Sequence, residues 1–119
     1  MIWFQIGAWV LFLGVALGAF GAHGFKEILS PDGKQIYHTA VLYHLVHGLG
    51  LLAVGWLSTL KPSEPLVRVA GWTFLLGIIL FSGSLYLLSL TGCKKFGLIT
   101  PVGGLGFLTG WLCLVLAAR

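Results

Sequence analysis

Four long apolar runs, parted by short polar breaks, decide what this chain can fold into. They cover about residues 2–22, 35–60, 66–90 and 97–118. A helix rises about 1.5 Å per residue, and a bilayer's hydrocarbon core is about 30 Å thick. Each run is therefore long enough to cross. The chain has 119 residues, of which 58% are hydrophobic and 8% charged. Soluble domains carry about 25% charged residues, and a water-soluble fold of this size has too little interior to hide so much apolar surface. The expected fold class is an all-α membrane protein, one integral domain with four transmembrane helices in an up-down-up-down bundle. Ile2 to Ala22 lacks a basic leading region and is longer than a signal-peptide core, so it reads as a retained helix.

The breaks explain where the helices stop. Gly24 to Gln35 contains Pro31-Asp32-Gly33, a turn signal. Lys61-Pro62-Ser63-Glu64-Pro65 ends the second run, because proline lacks an amide donor and restricts the residue before it. Thr91-Gly92-Cys93-Lys94-Lys95 closes the third, and Pro101 suits the first turn of the fourth. Connections this short make sequential helices antiparallel neighbours and put both termini on one side. Trp3, Trp9, Trp56, Trp72 and Trp111 gather toward one set of helix ends, as an aromatic belt does.

The formal charge is +4, from seven basic and three acidic residues. The basic residues, Lys26, Lys34, Lys61, Arg68, Lys94, Lys95 and Arg119, stand at the ends of apolar runs, as headgroup anchors do. No clustered basic face exists, so nucleic acid is not an expected partner. The bilayer is. The charge is shared almost equally between the two sides, which leaves the positive-inside rule nothing to act on. Cys93 lies in a polar break and Cys113 deep in the last run, so no intrachain disulfide is expected.

Small residues recur at helix-packing spacing. Gly14, Gly18 and Ala22 fall every fourth residue, and Gly48, Gly77, Gly83 and Gly104 are the candidates on the later helices. Such positions let backbones approach closely where lipid removes the hydrophobic drive. Trp9, Leu13, Gly14 and Leu17 match Trp72, Leu76, Gly77 and Leu80 at an offset of 63, and Gly48-Leu49-Gly50 matches Gly104-Leu105-Gly106 at 56. Either a helical hairpin was duplicated, or two glycine- and leucine-rich pairs look alike by chance.

The scarce polar side chains concentrate in one membrane half. His23 ends the first run. His38, Thr39, Tyr43, His44 and His47 occupy the start of the second. Ser82, Ser84, Tyr86, Ser89 and Thr91 lie late in the third, and Thr100 early in the fourth. His47 lies about 16 Å into its helix, close to the midplane. His44 and His47 share a face, as do Ser82, Tyr86 and Ser89, and these faces are expected to look at one another because lipid offers no hydrogen-bond partner. The candidate buried cluster is His23, Tyr43, His44, His47, Ser82, Ser84 and Tyr86. Haem or metal ligation by the histidines, proton or ion conduction, and an enzyme site compete with a packing role. No carboxylate or thiol accompanies the histidines at depth to complete a metal set, a relay or a triad. The expectation is a non-enzymatic protein without cofactor or metal, an interaction or accessory component. Its partner is another membrane protein or a second copy of itself. A proton, ion or small-solute conducting element, or a haem- or metal-binding protein, are the alternatives.

Gly18-Ala19-Phe20-Gly21-Ala22-His23-Gly24, Tyr43-His44-Leu45-Val46-His47, Leu80-Phe81-Ser82-Gly83-Ser84-Leu85-Tyr86 and Ile99-Thr100-Pro101-Val102-Gly103-Gly104, followed by Gly110-Trp111, stand in this order along the chain. Together they resemble the domain-of-unknown-function 423 family, which includes bacterial inner-membrane proteins and the eukaryotic transmembrane protein 256. The resemblance spans essentially the whole chain. It implies a four-span integral membrane protein of the bacterial inner membrane, with termini on the cytoplasmic side. It supplies no catalytic residues.

Overall fold

A computed structural model describes residues 1–25 and 27–119. Lys26, one of the expected headgroup anchors, lies outside the described residues. Four helices form: α1 (Ile2–His23), α2 (Pro31–Leu60), α3 (Pro65–Thr91) and α4 (Thr100–Ala117). A 3-10 turn, Lys94–Leu98, leads into α4. With that turn counted into α4 as Lys94–Ala117, all four are long and apolar enough to span a membrane.

The helix ends follow local chemistry. α2 begins at Pro31, four residues before the expected Gln35. Ser30 is its N-cap, with its hydroxyl accepting from the Gly33 N–H at 3.0 Å, and Pro31 is its first residue. Pro31-Asp32-Gly33 is therefore a capped helix start and not a free turn. The Glu64 carboxylate likewise accepts from the Leu66 N–H ahead of Pro65. α3 ends on Gly92 at φ 71°, a left-handed cap that glycine adopts without steric cost. Midway, Ile78–Ser82 widen into a π turn, and the Gly83 N–H bonds back to the Ile78 carbonyl.

Neighbouring helices run antiparallel. On α1 and α2, Gly7 faces Leu51, Gly14 faces Leu45, and Gly55 meets the Phe4 backbone. On α3 and α4, Gly77 faces Phe107, and Gly103 meets the Phe81 backbone. Between them, Ser82 of α3 bonds Ala40 of α2, and Gly50 of α2 touches Phe74 of α3. The bundle is flattened, 48 × 26 × 17 Å, with α2 and α3 as its central pair.

The two hairpins do not share a register. Offsets of 63 and 56 carry the Gly14–Leu45 contact onto Gly77 and Pro101, yet Gly77 packs on Phe107, almost two turns away. The sequence match is thus not repeated in the packing. The core centres on Leu51, Val54, Val67, Ala70, Phe74 and Phe107.

Among the described residues, six glycines hold the interfaces where a Cβ would run hard into backbone or ring: Gly21, Gly55, Gly71, Gly77, Gly103 and Gly110. Of the expected packing positions, Gly77 is of this kind, Gly14 and Gly48 press on the side chains of Leu45 and Leu11, and Gly18 meets Val41 at 3.4 Å. Ala22 is exposed, Gly104 makes only loose contact with Phe81, and Gly83 has nothing within 4 Å. Gly83 lies just past the π turn and faces open space. Trp9, Trp56 and Trp72 point outward as a belt does, but Trp3 turns inward against Gly71 and edge-on to Trp72.

Lys61 leaves the headgroup role expected of it. Its ammonium donates to the carbonyls of Ala117 (2.6 Å) and Arg119 (3.0 Å), where the dipole of α4 places negative charge.

Candidate functional site

The polar side chains of α2 meet partners on every other helix. His44 is 5% exposed. Its Nε2 lies 2.8 Å from the Val10 carbonyl of α1, and its Nδ1 lies 2.8 Å from the Tyr86 hydroxyl of α3. A carbonyl only accepts, so Nε2 carries a proton, and in the neutral ring Tyr86 O–H then donates to Nδ1. His44 thereby joins three helices.

His47, one turn deeper, is 3% exposed. Its Nδ1 faces the Tyr43 carbonyl at 2.8 Å and must be the protonated nitrogen. Its Nε2 accepts from the indole N–H of Trp111 on α4 at 3.0 Å. The ring stacks on Phe107 with centroids 3.5 Å apart and stands edge-on to Phe74. His47 is thus neutral, His44 in its neutral form is of the opposite tautomer, and all four ring nitrogens are engaged.

The serines divide by direction. Residues two apart on a helix point about 200° apart. Ser82 and Ser84 therefore reach opposite neighbours, as the central position of α3 requires. Ser82, fully buried, donates to the Ala40 carbonyl of α2 at 2.8 Å. Ser84 donates to the Phe81 carbonyl and receives the Thr100 hydroxyl of α4 at 2.6 Å. Tyr37 adds a link of the same kind, its hydroxyl donating to the Leu17 carbonyl of α1.

Of the expected cluster, His44, His47, Ser82 and Ser84 are buried and Tyr86 is half-buried, and of these His44 and Tyr86 bond each other. Tyr43 contributes its carbonyl, while the residue is 40% exposed, its ring beside Phe81. His23 is exposed at the end of α1 and stands apart, as does His38. Trp111 and Val10 were not legible as partners. Trp111 reads as a belt residue, and a backbone carbonyl has no sequence signature. The one available signal was chemical: a midplane imidazole needs a donor at its own depth, and an indole N–H can only donate.

The hydrogen bonds form two separate strings. One runs from Tyr86 through His44 to the Val10 carbonyl, the other from Trp111 through His47 to the Tyr43 carbonyl. Each ends on a backbone oxygen. Every buried side-chain nitrogen and oxygen among the described residues has a partner. Beside the second string, an apolar groove of about 730 Å³ opens between α2 and α4, walled by Val46, Phe81, Leu105, Leu108 and Trp111. Cys93 is exposed and Cys113 buried, both as free thiols.

Four membrane-competent helices drawn together by an inward polar cluster define a polytopic helical membrane protein. Residues 17–104 match the family model described as "Protein of unknown function (DUF423)". The chain is 45% identical to the UPF0382 membrane protein YwdK of Bacillus subtilis, over 95% of this chain and 92% of that one. It is 46% identical to a UPF0382 membrane protein of Staphylococcus epidermidis, over 94% and 90%, and 44% identical to one of Staphylococcus haemolyticus, over the same shares. The chain belongs to the DUF423 family. No solved structure matches it.

Proposed function

We propose that this is a non-enzymatic interaction or accessory component of the bacterial cytoplasmic membrane, with both termini facing the cytoplasm. One observation carries the reading: both nitrogens of His44 and of His47 are taken by groups of the protein itself. A metal- or haem-ligating imidazole needs a nitrogen to offer, and these have none unpaired. The cluster's chemistry is used up in fastening α2 to the other three helices. What remains for function is the outer surface, where rows of large apolar side chains and the groove between α2 and α4 are left uncommitted by the chain's own packing. The partner is a second copy or another membrane protein meeting that surface helix to helix. The bacterial setting rests on the relatives named above, from Bacillus and Staphylococcus.

The test is a gentle-detergent pull-down at native expression level, read by mass spectrometry. A stoichiometric membrane-protein partner, or a defined homo-oligomer, is the expected result. Repeated recovery as a lone monomer contradicts the reading, and so does a Soret band or a His47-dependent proton flux in vesicles.

A further inference from the structure

A second concavity, unrelated to the histidine cluster, lies between α1 and α2 at the end of the bundle away from the termini. It encloses about 330 Å³, at the lower end of the range for ligand clefts. Gly18, Gly21 and Ala22 of α1 line one side, Lys34, His38 and Val41 of α2 the other. The slot exists because α1 presents no bulk there. The Gly21 backbone is covered by the ring of Tyr37, which is pinned in turn to Leu17, so this wall is fixed.

The lining is graded along the membrane normal. Antiparallel packing sets Gly18 against Val41 at the deep end, and Lys34 and His38 stand one turn apart toward the surface. Both of those side chains are exposed. The nearest acid on α2, Asp32, lies on the opposite flank, in a separate hollow with Leu85 of α3. The positive end of the α2 dipole adds to the field of Lys34. A lysine ammonium and an imidazole at headgroup level above a narrow apolar slot match one kind of molecule, which carries an anion at its head and a hydrocarbon chain below.

We propose that this groove binds one anionic phospholipid, its phosphate on Lys34 and His38 and the upper part of an acyl chain along Gly18, Ala22 and Val41. The inference is independent of the accessory reading, which it neither needs nor supports. The headgroup is held by hydrogen bonds and charge. The chain gains contact with a backbone surface that side chains elsewhere on α1 keep at a distance.

The experiment uses the full chain in a neutral detergent, with phosphatidylglycerol and phosphatidylcholine of the same acyl chains as probes. Retained lipid is counted by native mass spectrometry, and apparent melting temperature is followed alongside. One phosphatidylglycerol is expected to be retained in preference to phosphatidylcholine. Lys34→Gln is expected to weaken retention about fivefold, the effect of one cation near a charged headgroup. Lys94→Gln removes the same charge on the same membrane side but outside the groove, and is expected to leave retention unchanged. Ala22→Phe, at an exposed position, fills the slot and is expected to abolish retention with the fold intact. Equal loss in Lys34→Gln and Lys94→Gln overturns the proposal, because binding is then diffuse. Retention surviving Ala22→Phe overturns it too, as does stabilisation by inorganic phosphate equal to that by the lipid, which marks a site for free anions.

Discussion

The indole N–H of Trp111 sits 3.0 Å from Nε2 of His47, on a ring whose other nitrogen is already held by the Tyr43 carbonyl. That contact ties α4 to the middle of α2. A Trp111→Phe substitution keeps most of the ring packing but leaves a buried acceptor bare. The expected loss is about 1–2 kcal/mol, since polar contacts between membrane helices are worth less than their vacuum strength. Reversible unfolding in mixed micelles measures it. The double-mutant cycle with His47→Phe should give a coupling of about 0.5–2 kcal/mol, and zero coupling would mean the bond contributes nothing.

Tyr86→Phe probes the other string. Nδ1 of His44 loses its donor while Nε2 keeps the Val10 carbonyl. A loss of about 1 kcal/mol is expected, confined to the α2–α3 contact. In hydrogen exchange, the middle of α3 should become less protected while the α1–α2 hairpin is unchanged.

The glycines sort into those with room and those without. At Gly103 an added methyl meets the Phe81 backbone, with its Cα and Cβ at 2.8 Å, and backbone cannot swing aside. Gly103→Ala should destabilise by about 1–3 kcal/mol, because helices α3 and α4 must part. Gly83 has open space, so Gly83→Ala should be neutral or stabilising by up to about 1 kcal/mol through helix propensity. Equal effects at the two sites would contradict the α3–α4 interface.

Lys61 caps the far end of α4 through the Ala117 and Arg119 carbonyls. Lys61→Met removes cation and donors together. A loss of about 0.5–2 kcal/mol is expected, with faster amide exchange limited to the last turn of α4.

The four spans and their antiparallel order were legible because lipid punishes every unpaired backbone group, so length and hydropathy nearly dictate the answer. That His44, His47, Ser82 and Tyr86 would turn inward followed from the same cost. Four things were hidden. The start of α2 was masked because Pro-Asp-Gly also spells a turn, and only the Ser30 cap resolves it. The π turn at Ile78–Ser82 has no signature in a run of apolar residues. Trp111 looked like a headgroup residue, since tryptophan serves both at the interface and as a donor inside. Which glycines were crowded depended on hairpin register, and Gly18 and Gly83 are indistinguishable from Gly103 until the facing helix is placed.

The most direct measurement is nitrogen-15 magnetic resonance of the imidazoles in lipid at neutral pH. His44 is predicted to carry its proton on Nε2 and His47 on Nδ1, both neutral and both slow to exchange with water. An imidazolium signal at either residue, the same tautomer in both, or rapid exchange would show that the rings are not closed off by their neighbours.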